Sequence, residues 1–278
     1  MNFRLFCAQV RYILRKKSSA AVIFILMSVI IVNYFGNLAE CKKIVEVTDM
    51  FNPFSRVMMS SYSKYSSFVI AFFPILAVLP TATLFVDDRN TRINMYILGR
   101  SGEKGYYISK LLSIFTATFV IFIIPFFLEF VMTVIAFPLE SGGMLHGPSY
   151  TDSMRTSNYI LDSLFWKNNI IYALVMDIVL ALAAACLAIF NSAITIFPIF
   201  RYKIFSFLPV YVFLYIVRVI DERLVDAGSV SRFDYVVMLN LFDCRAKDFR
   251  YFVGMLVIMV LISFAVVGLY SKRKEVVL

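Results

Sequence analysis

The sequence predicts an all-helical membrane protein with six spans and an amphipathic helix before the first of them. Three observations support this prediction: the composition, the spacing of the apolar runs and the placement of Lys and Arg. Of the 278 residues, 61% are hydrophobic and 16% are charged, and the mean hydropathy is +0.82. A soluble core of this length cannot bury that much apolar surface, so the bilayer must be the main solvent.

Six apolar stretches are long enough to cross a bilayer. A hydrocarbon core about 30 Å thick needs about 20 apolar residues in a helix, because each backbone polar group must bond within its own segment. The six stretches are Ser19–Phe35, Ser67–Val86, Leu111–Phe137, Trp166–Ile189, Ile204–Ile220 and Phe249–Tyr270. They form a predicted transmembrane domain over residues 19–270, followed by a short tail at 271–278.

The Lys and Arg residues predict the orientation of the spans. With the N-terminus inside, more than half of the 27 basic residues lie in inner segments, while the outer segments are close to neutral. By the positive-inside rule, both termini are predicted on the cytoplasmic side of the plasma membrane. The predicted outer loops are 37–66, 138–165 and 221–248, and the structured inner loop is 87–110. The basic balance is therefore a topology signal and does not indicate a nucleic-acid partner.

Residues 1–18 are predicted to form an amphipathic helix on the inner leaflet, with membrane lipid as its partner. Apolar side chains recur at helical spacing while basic side chains occupy another side of the helix. The apolar positions are Phe3, Phe6, Val10, Ile13 and Leu14, and the basic ones are Arg4, Arg11, Arg15 and Lys16. The alternative is a basic tail that serves to set the orientation.

The outer segments carry two further expectations. The loop 221–248 is too apolar for a solvated linker and predicts a short interfacial or re-entrant helix. Cys41 and Cys244 both fall on the outer side, where a disulfide is chemically allowed. No spacing of the four cysteines indicates a metal site, and whether these two are bridged stays open at this point.

The inner loop from Phe85 to Leu112 reads FVDDRNTRINMYILGRSGEKGYYISKLL. Charged residues open it, a short amphipathic stretch follows, and Gly99 breaks the pattern. A second helix start near Ser101 leads into the third span through Lys110. This order predicts a compact helix-turn-helix with charges available to a protein partner.

At this loop the sequence resembles the permease subunits of ABC transporters of the ABC-2 exporter type. The matching positions are Asp87, Arg89, Tyr96, Leu98, Arg100, Ser101 and Lys110. Six spans, a surface helix before the first span and a basic ending, GLYSKRKEVV, also fit that family. DDRNTR departs from the Glu-Arg-Glu pattern, with a Gly two residues on, that is frequent there.

The resemblance implies the type V exporter fold and a division of labour. The chain would bind no cofactor; ATP and Mg would be held by separate ABC ATPase subunits, and a second permease subunit would complete a homodimer or heterodimer. Glycines at 99, 102 and 105 are not followed by the Lys and Ser or Thr of a phosphate loop. The implied coupling residues are Asp87, Asp88, Arg89, Arg92, Tyr96, Ile97, Arg100 and Glu103. A solvated loop that sets orientation is the alternative.

Two acidic residues lie inside predicted spans and are candidates for a substrate path or an interhelical polar contact. Asp177 is eleven residues past Trp166, about 16 Å along a helix and near the midplane. Glu129 is nineteen residues past Lys110, about 28 Å along, which predicts a position near the outer interface within reach of water. A hydrogen bond that fixes helix packing is the alternative role for Asp177.

Other function classes remain to be compared. The single histidine, His146, lies in an outer loop, and Asp177 has no deep second carboxylate, so neither a zinc-hydrolase nor an aspartyl mechanism is supported. The chain is predicted to be non-catalytic and, in a bacterial plasma membrane, to serve export of an amphipathic peptide, lipid-like or drug-like substrate. The alternatives are a secondary transporter or channel, or an ABC-type subunit for bacteriocin immunity or sensing.

Overall fold

The computed structural model of the chain describes residues 3–42, 54, 57–60, 63–91, 97, 102–137, 160–200, 202–240 and 248–275. The regular elements of these residues are helices. They are α1 (Phe3–Leu14), α2 (Lys17–Cys41), α3 (Ser66–Val78), α4 (Leu84–Asn90), α5 (Glu103–Ala136), α6 (Asp162–Lys167), α7 (Asn169–Thr195), α8 (Leu208–Asp226), α9 (Tyr235–Leu239) and α10 (Phe249–Glu275), with a 3-10 turn, Lys203–Phe207, before α8.

Five helical segments of the described residues are long and apolar enough to cross a membrane. They are Lys17–Cys41, Gly105–Ala136, Asn169–Thr195, Lys203–Asp226 and Phe249–Ser271. Large apolar side chains point outward from them, as at Phe24 (73% exposed) and Leu261 (63% exposed). An outward apolar surface is stable where lipid is the solvent, so the chain is a helical membrane protein.

The second predicted span differs from the continuous helix expected over Ser67–Val86. Helix α3 has 13 residues and contains Pro74, which makes it about 20 Å long and shorter than the bilayer core. The chain then turns at Leu79–Thr83, which includes Pro80, before α4 begins. Proline has no amide proton to donate, which favours a break at this point. A sixth crossing therefore stays a prediction.

Helix α7 lies at the centre of the bundle. It contacts α3, α5, α8 and α10, and 61% of its most apolar stretch is buried, compared with 22–33% in the other four long helices. Its buried face carries small residues, among them Ala181, Ala184, Ala185 and Ala188. Small side chains let helix backbones approach closely, which is how membrane helices gain packing energy.

Helix α1 forms where the amphipathic pattern predicted it, and it packs against the protein. It contacts the start of α5, where Ser113 Oγ donates to the carbonyl oxygen of Phe6 at 3.2 Å. Ile13 is 1% exposed, whereas Phe3, in the first turn, is 67% exposed. The helix therefore serves as a brace on α5 as well as presenting an outward apolar face.

The segment after α8 contains the short helix expected in 221–248. Asp221 is 1% exposed and accepts hydrogen bonds from Ser231 Oγ (2.7 Å) and from the backbone amides of Arg232 (2.9 Å) and Phe233 (3.0 Å). This carboxylate folds the chain back so that α9 follows, with four of its five residues buried. The helix is thus packed against the bundle. Cys244 lies outside the described residues, so the pairing with Cys41 stays open.

Candidate functional site

Acidic residues of α4 meet basic residues from three other parts of the chain. We call this group the anchor cluster. Its members are Lys16, Thr83, Asp87, Asp88, Arg89, Tyr106, Lys110 and Lys203. They come from the α1–α2 junction, the start of α4, the start of α5 and the 3-10 turn before α8.

Asp87 joins three elements through its two oxygens. Oδ1 lies 2.7 Å from Lys203 Nζ, and Oδ2 lies 3.1 Å from Lys16 Nζ and accepts from Thr83 Oγ1 at 2.9 Å. Burial would raise the pKa of Asp87, but the hydrogen bonds from Lys203, Thr83 and Lys16 outweigh burial and hold its pKa below the usual value. Asp87 is therefore an ionised junction at neutral pH.

Asp88 pairs with Lys110 and Tyr106 of α5 through Oδ2, which accepts from both side chains. The Lys110 side chain is 5% exposed, and its ammonium lies 5.0 Å from the centre of the Phe85 ring. Nζ also donates to the carbonyl oxygen of Leu84 at 3.4 Å. A buried ammonium needs this number of partners, because desolvation of an unpaired charge costs several kcal/mol.

Arg89 caps the C-terminal end of α7. Its guanidinium donates to the carbonyl oxygens of Thr195 (3.3 Å), Ile196 (3.5 Å) and Phe197 (3.4 Å). The last carbonyls of a helix have no partner inside the helix and carry partial negative charge, so a cation is favoured there. Helix α4 is thus tied to the central helix of the bundle.

The predicted coupling residues divide into two groups. Asp87, Asp88 and Arg89 are engaged in contacts within the chain, and Ile97 packs beside the buried cluster that includes Tyr106. Glu103 is the first residue of α5. The remaining three, Arg92, Tyr96 and Arg100, lie outside the described residues. A role in contacting a partner stays a prediction for all eight.

The two intramembrane acids line one cavity between α5 and α7. We call it the acidic cavity; its walls include Phe54, Phe126, Glu129, Phe130, Tyr172 and Asp177. Its walls leave about 320 Å³ not filled by atoms, a volume that includes open solvent, and a water molecule fits in only a small part of it. That is room for about one water molecule.

The depths of the two acids differ from the sequence prediction. Glu129 lies seven residues before the end of α5 and Asp177 eight residues after the start of α7, which places both about 10–12 Å along their helices from those ends. Since the two helices run in opposite directions, the carboxyl groups come level. The sequence prediction placed them at different depths because residue spacing along one helix does not give the register of that helix against another.

Glu129 is buried, although the sequence predicted that it reaches water. The residue is 7% exposed, and Oε1 accepts from the backbone amide of Met58 at 2.7 Å and from Asn33 Nδ2 at 3.4 Å. Ser63 Oγ in turn donates to Asn33 Oδ1 at 2.9 Å. Met58 and Asn33 thus fix the direction of the Glu129 carboxyl group, and Ser63 holds Asn33 in place.

The role of Asp177, in a substrate path or in an interhelical polar contact, stays a prediction. Its Oδ2 is buried and accepts no hydrogen bond from the residues that the structure describes. Two carboxyl groups therefore face the cavity, and the described residues of its wall include no Lys, Arg or His. Within the described part of the chain, no cluster of three or more His, Cys, Asp or Glu side chains could hold a metal ion.

Sequence reasoning missed several residues that shape both sites. Asn33 and Ser63 support Glu129. Asn191 joins α7 to the 3-10 turn by donating to the Ser206 carbonyl oxygen at 2.8 Å, and to α8 by accepting from the backbone amide of Val210 at 3.3 Å. An amide side chain in an apolar stretch was the available signal, because a buried amide must find hydrogen-bond partners. Lys16 was assigned to the surface, but it belongs to the anchor cluster.

Comparisons of the chain with protein-family models, with curated proteins and with solved structures found no match. The fold and the two polar sites define the class of the protein as a helical membrane protein with a charged anchor at one end and an acidic cavity between its central helices.

Proposed function

We propose that the chain is the membrane permease subunit of an ABC transporter of the ABC-2 exporter type. In this proposal a separate ATPase subunit hydrolyses ATP, and the segment between α4 and α5 transmits its movement to the bundle. The termini lie on the cytoplasmic side of a bacterial plasma membrane. Helices α3 and α4 together supply the sixth crossing of a type V fold.

The observation that carries the proposal is the anchor cluster. Asp87 and Asp88 precede the segment between α4 and α5, while Tyr106 and Lys110 follow it, and the two sides are ion-paired. The same cluster reaches α2 through Lys16 and α7 through Arg89. A force applied to this segment would therefore reach several long helices at once. A coupling element must transmit movement in this way.

The proposed transporter has further components. ATP and Mg are bound by the partner ATPase, and a second permease subunit, identical or homologous, completes the transporter. The transported substrate is amphipathic, because the path between α5 and α7 is walled by aromatic rings and two acids. Service in immunity or sensing would use the same coupling parts.

Copurification with an ATPase tests the proposal. The tagged chain is purified from native membranes, and ATPase activity and a bound nucleotide-binding subunit are measured. Tyr96→Glu and Arg100→Glu should each lower both by at least about tenfold, since hot-spot losses of over 2 kcal/mol are usual at buried aromatic and Arg contacts.

Lys64→Glu is the matched control. Lys64 is 77% exposed and pairs with Glu40, away from the anchor cluster, so its charge reversal should leave copurification unchanged. A chain that purifies alone and moves substrate without ATP would contradict the proposal. That result would favour an ion-driven secondary transporter, for which the acidic cavity is the supporting observation.

A further inference from the structure

We propose that the acidic cavity binds the primary ammonium group of an amphipathic amine. The inference rests on the proposed function in that such an amine would be the transported substrate, and it narrows the substrate from amphiphiles in general to cationic ones. The charge, size and hydrogen-bonding capacity of the acidic cavity support this inference.

The charge balance of the acidic cavity favours a cationic ligand. Glu129 and Asp177 line the same small cavity, and the described residues of its wall supply no positive charge. Two carboxylates in a low-dielectric site repel each other and lack hydration, which is costly unless a cation or a proton neutralises them. The partly buried carboxylates of α4 each have a Lys partner, and buried Asp221 has three hydrogen-bond donors instead. Among the residues that the structure describes, the acidic cavity therefore has two acids and no cation.

Size selects the kind of cation. A cavity with room for about one water molecule fits a primary ammonium group, which is close to water in size, and excludes a trimethylated one. The aromatic rings of Phe54, Phe126, Phe130 and Tyr172 add walls that attract a cation. Both features match an ammonium head, and the apolar tail of the amine would lie outside this water-sized space.

The hydrogen-bonding groups match as well. An ammonium group has three donors and no acceptor. Among the described residues, Asp177 Oδ2 is buried without a donor, and Glu129 accepts hydrogen bonds through Oε1. Oε2 of Glu129 is therefore available to accept. The contacts from Met58 and Asn33 fix Glu129 before any ligand arrives, which reduces the entropy lost on binding.

Equilibrium binding of tritiated octylamine tests the inference. The purified full-length chain is placed in phosphatidylcholine nanodiscs at pH 7, and octylamine is displaced with octyltrimethylammonium or with octanol. We expect saturable binding of octylamine and at least tenfold weaker competition from the other two. Octanol tests the charge, and octyltrimethylammonium tests the size.

Two conservative variants locate the site. Asp177→Asn and Glu129→Gln should each lower octylamine affinity at least tenfold, since each removes one charge-assisted hydrogen bond. Glu129→Gln retains an Oε1 acceptor for Met58, and Asp177→Asn removes a carboxylate with no described partner, so both are expected to fold. Glu222→Gln, an exposed acid of α8 paired with Arg218, is the control and should bind as the wild type does. Unfolding temperature is measured for every variant.

Several results would overturn the cation site: no saturable binding to the wild type, equal competition by octanol, or wild-type affinity in both variants. A change confined to the pH dependence of activity, with octylamine binding unchanged, would make the cavity a proton site instead. Absence of octylamine binding to the wild type, alongside retained ATPase copurification, overturns the cation site alone. Retained binding without any ATPase partner overturns the coupling role alone.

Discussion

Lys110 lies in a long apolar helix, and its charged side chain is only 5% exposed. Asp88, Tyr106 and the Leu84 carbonyl oxygen all bond its ammonium. Removal of one member of a buried ion pair leaves an uncompensated charge, whereas removal of both members leaves none. The stability of this region therefore depends on the pair as a unit.

A double-mutant cycle measures that dependence. Asp88→Asn and Lys110→Met should each lower the free energy of unfolding by about 3 kcal/mol, and the double variant should lose less than the sum of the two. Thermal unfolding in detergent provides the measurement. Lys64→Met, which removes an exposed ion pair, should change stability by less than about 1 kcal/mol. Additive losses would show that the pair is not coupled.

Asp87 predicts a pH dependence at the residue scale. Its pKa is held below the usual value by Lys203, Thr83 and Lys16 against the effect of burial. A depressed folded-state pKa contributes stability above the unfolded-state value, about 3.9, and this contribution is lost as pH falls through the folded-state pKa. Unfolding temperatures measured from pH 6 to pH 3 should fall more steeply for the wild type than for Asp87→Asn. Parallel curves would contradict this assignment.

At the scale of elements, α7 is the helix around which the others pack. Its buried alanines allow close approach of α5 and α10, and Asn191 and the carbonyls of its last turn connect it to α8 and α4. A membrane helix packed in this way gains stability from close van der Waals contact, since apolar burial gives little advantage over lipid.

A small-to-large change tests this packing. Ala184 is 0% exposed, so Ala184→Leu should lower the free energy of unfolding by about 1–3 kcal/mol through overpacking. Ala20→Leu makes the same change at an exposed position of α2 and should be close to neutral. The two are compared by thermal unfolding of the purified protein. Equal effects would show that α7 is not the tight element of the bundle.

At the scale of the molecule, the two polar sites lie at different levels of the bundle. The anchor cluster joins the starts of α2 and α5 to the end of α7, and Tyr270 near the end of α10 lies 6.1 Å from Tyr107 between ring centres. The acidic cavity lies near the other ends of α5 and α7. Coupling and substrate recognition would thus be separated along the membrane normal.

Cysteine labelling tests the predicted orientation. Cys7 is exposed on α1, so a chain carrying Cys41→Ser, Cys186→Ser and Cys244→Ser retains one accessible thiol. A membrane-impermeant maleimide should label it in inside-out vesicles and leave it unlabelled in right-side-out vesicles. The reverse pattern would contradict the positive-inside assignment. Cys7→Ser in the same background is the control for non-specific labelling.

The sequence by itself determined the class of the protein and the position of most helices. Apolar runs longer than the bilayer is thick and the amphipathic spacing of α1 are local properties, and a helix satisfies its backbone locally, so both could be seen without a fold. The predicted starts and ends of the long helices differ from the observed ones by up to eight residues, the largest difference being the start of α5 at Glu103 against the predicted Leu111. Pro80 gave a signal for the break between α3 and α4.

The tertiary structure decided which distant residues meet. The pairing of Asp87 with Lys16 and Lys203, and the alignment of Glu129 with Asp177, join residues that are far apart in the chain. Hydropathy and charge counts record what each helix exposes but not the register of one helix against its neighbour. That register is set by side-chain packing between helices. The two sites could therefore be identified only from the tertiary structure.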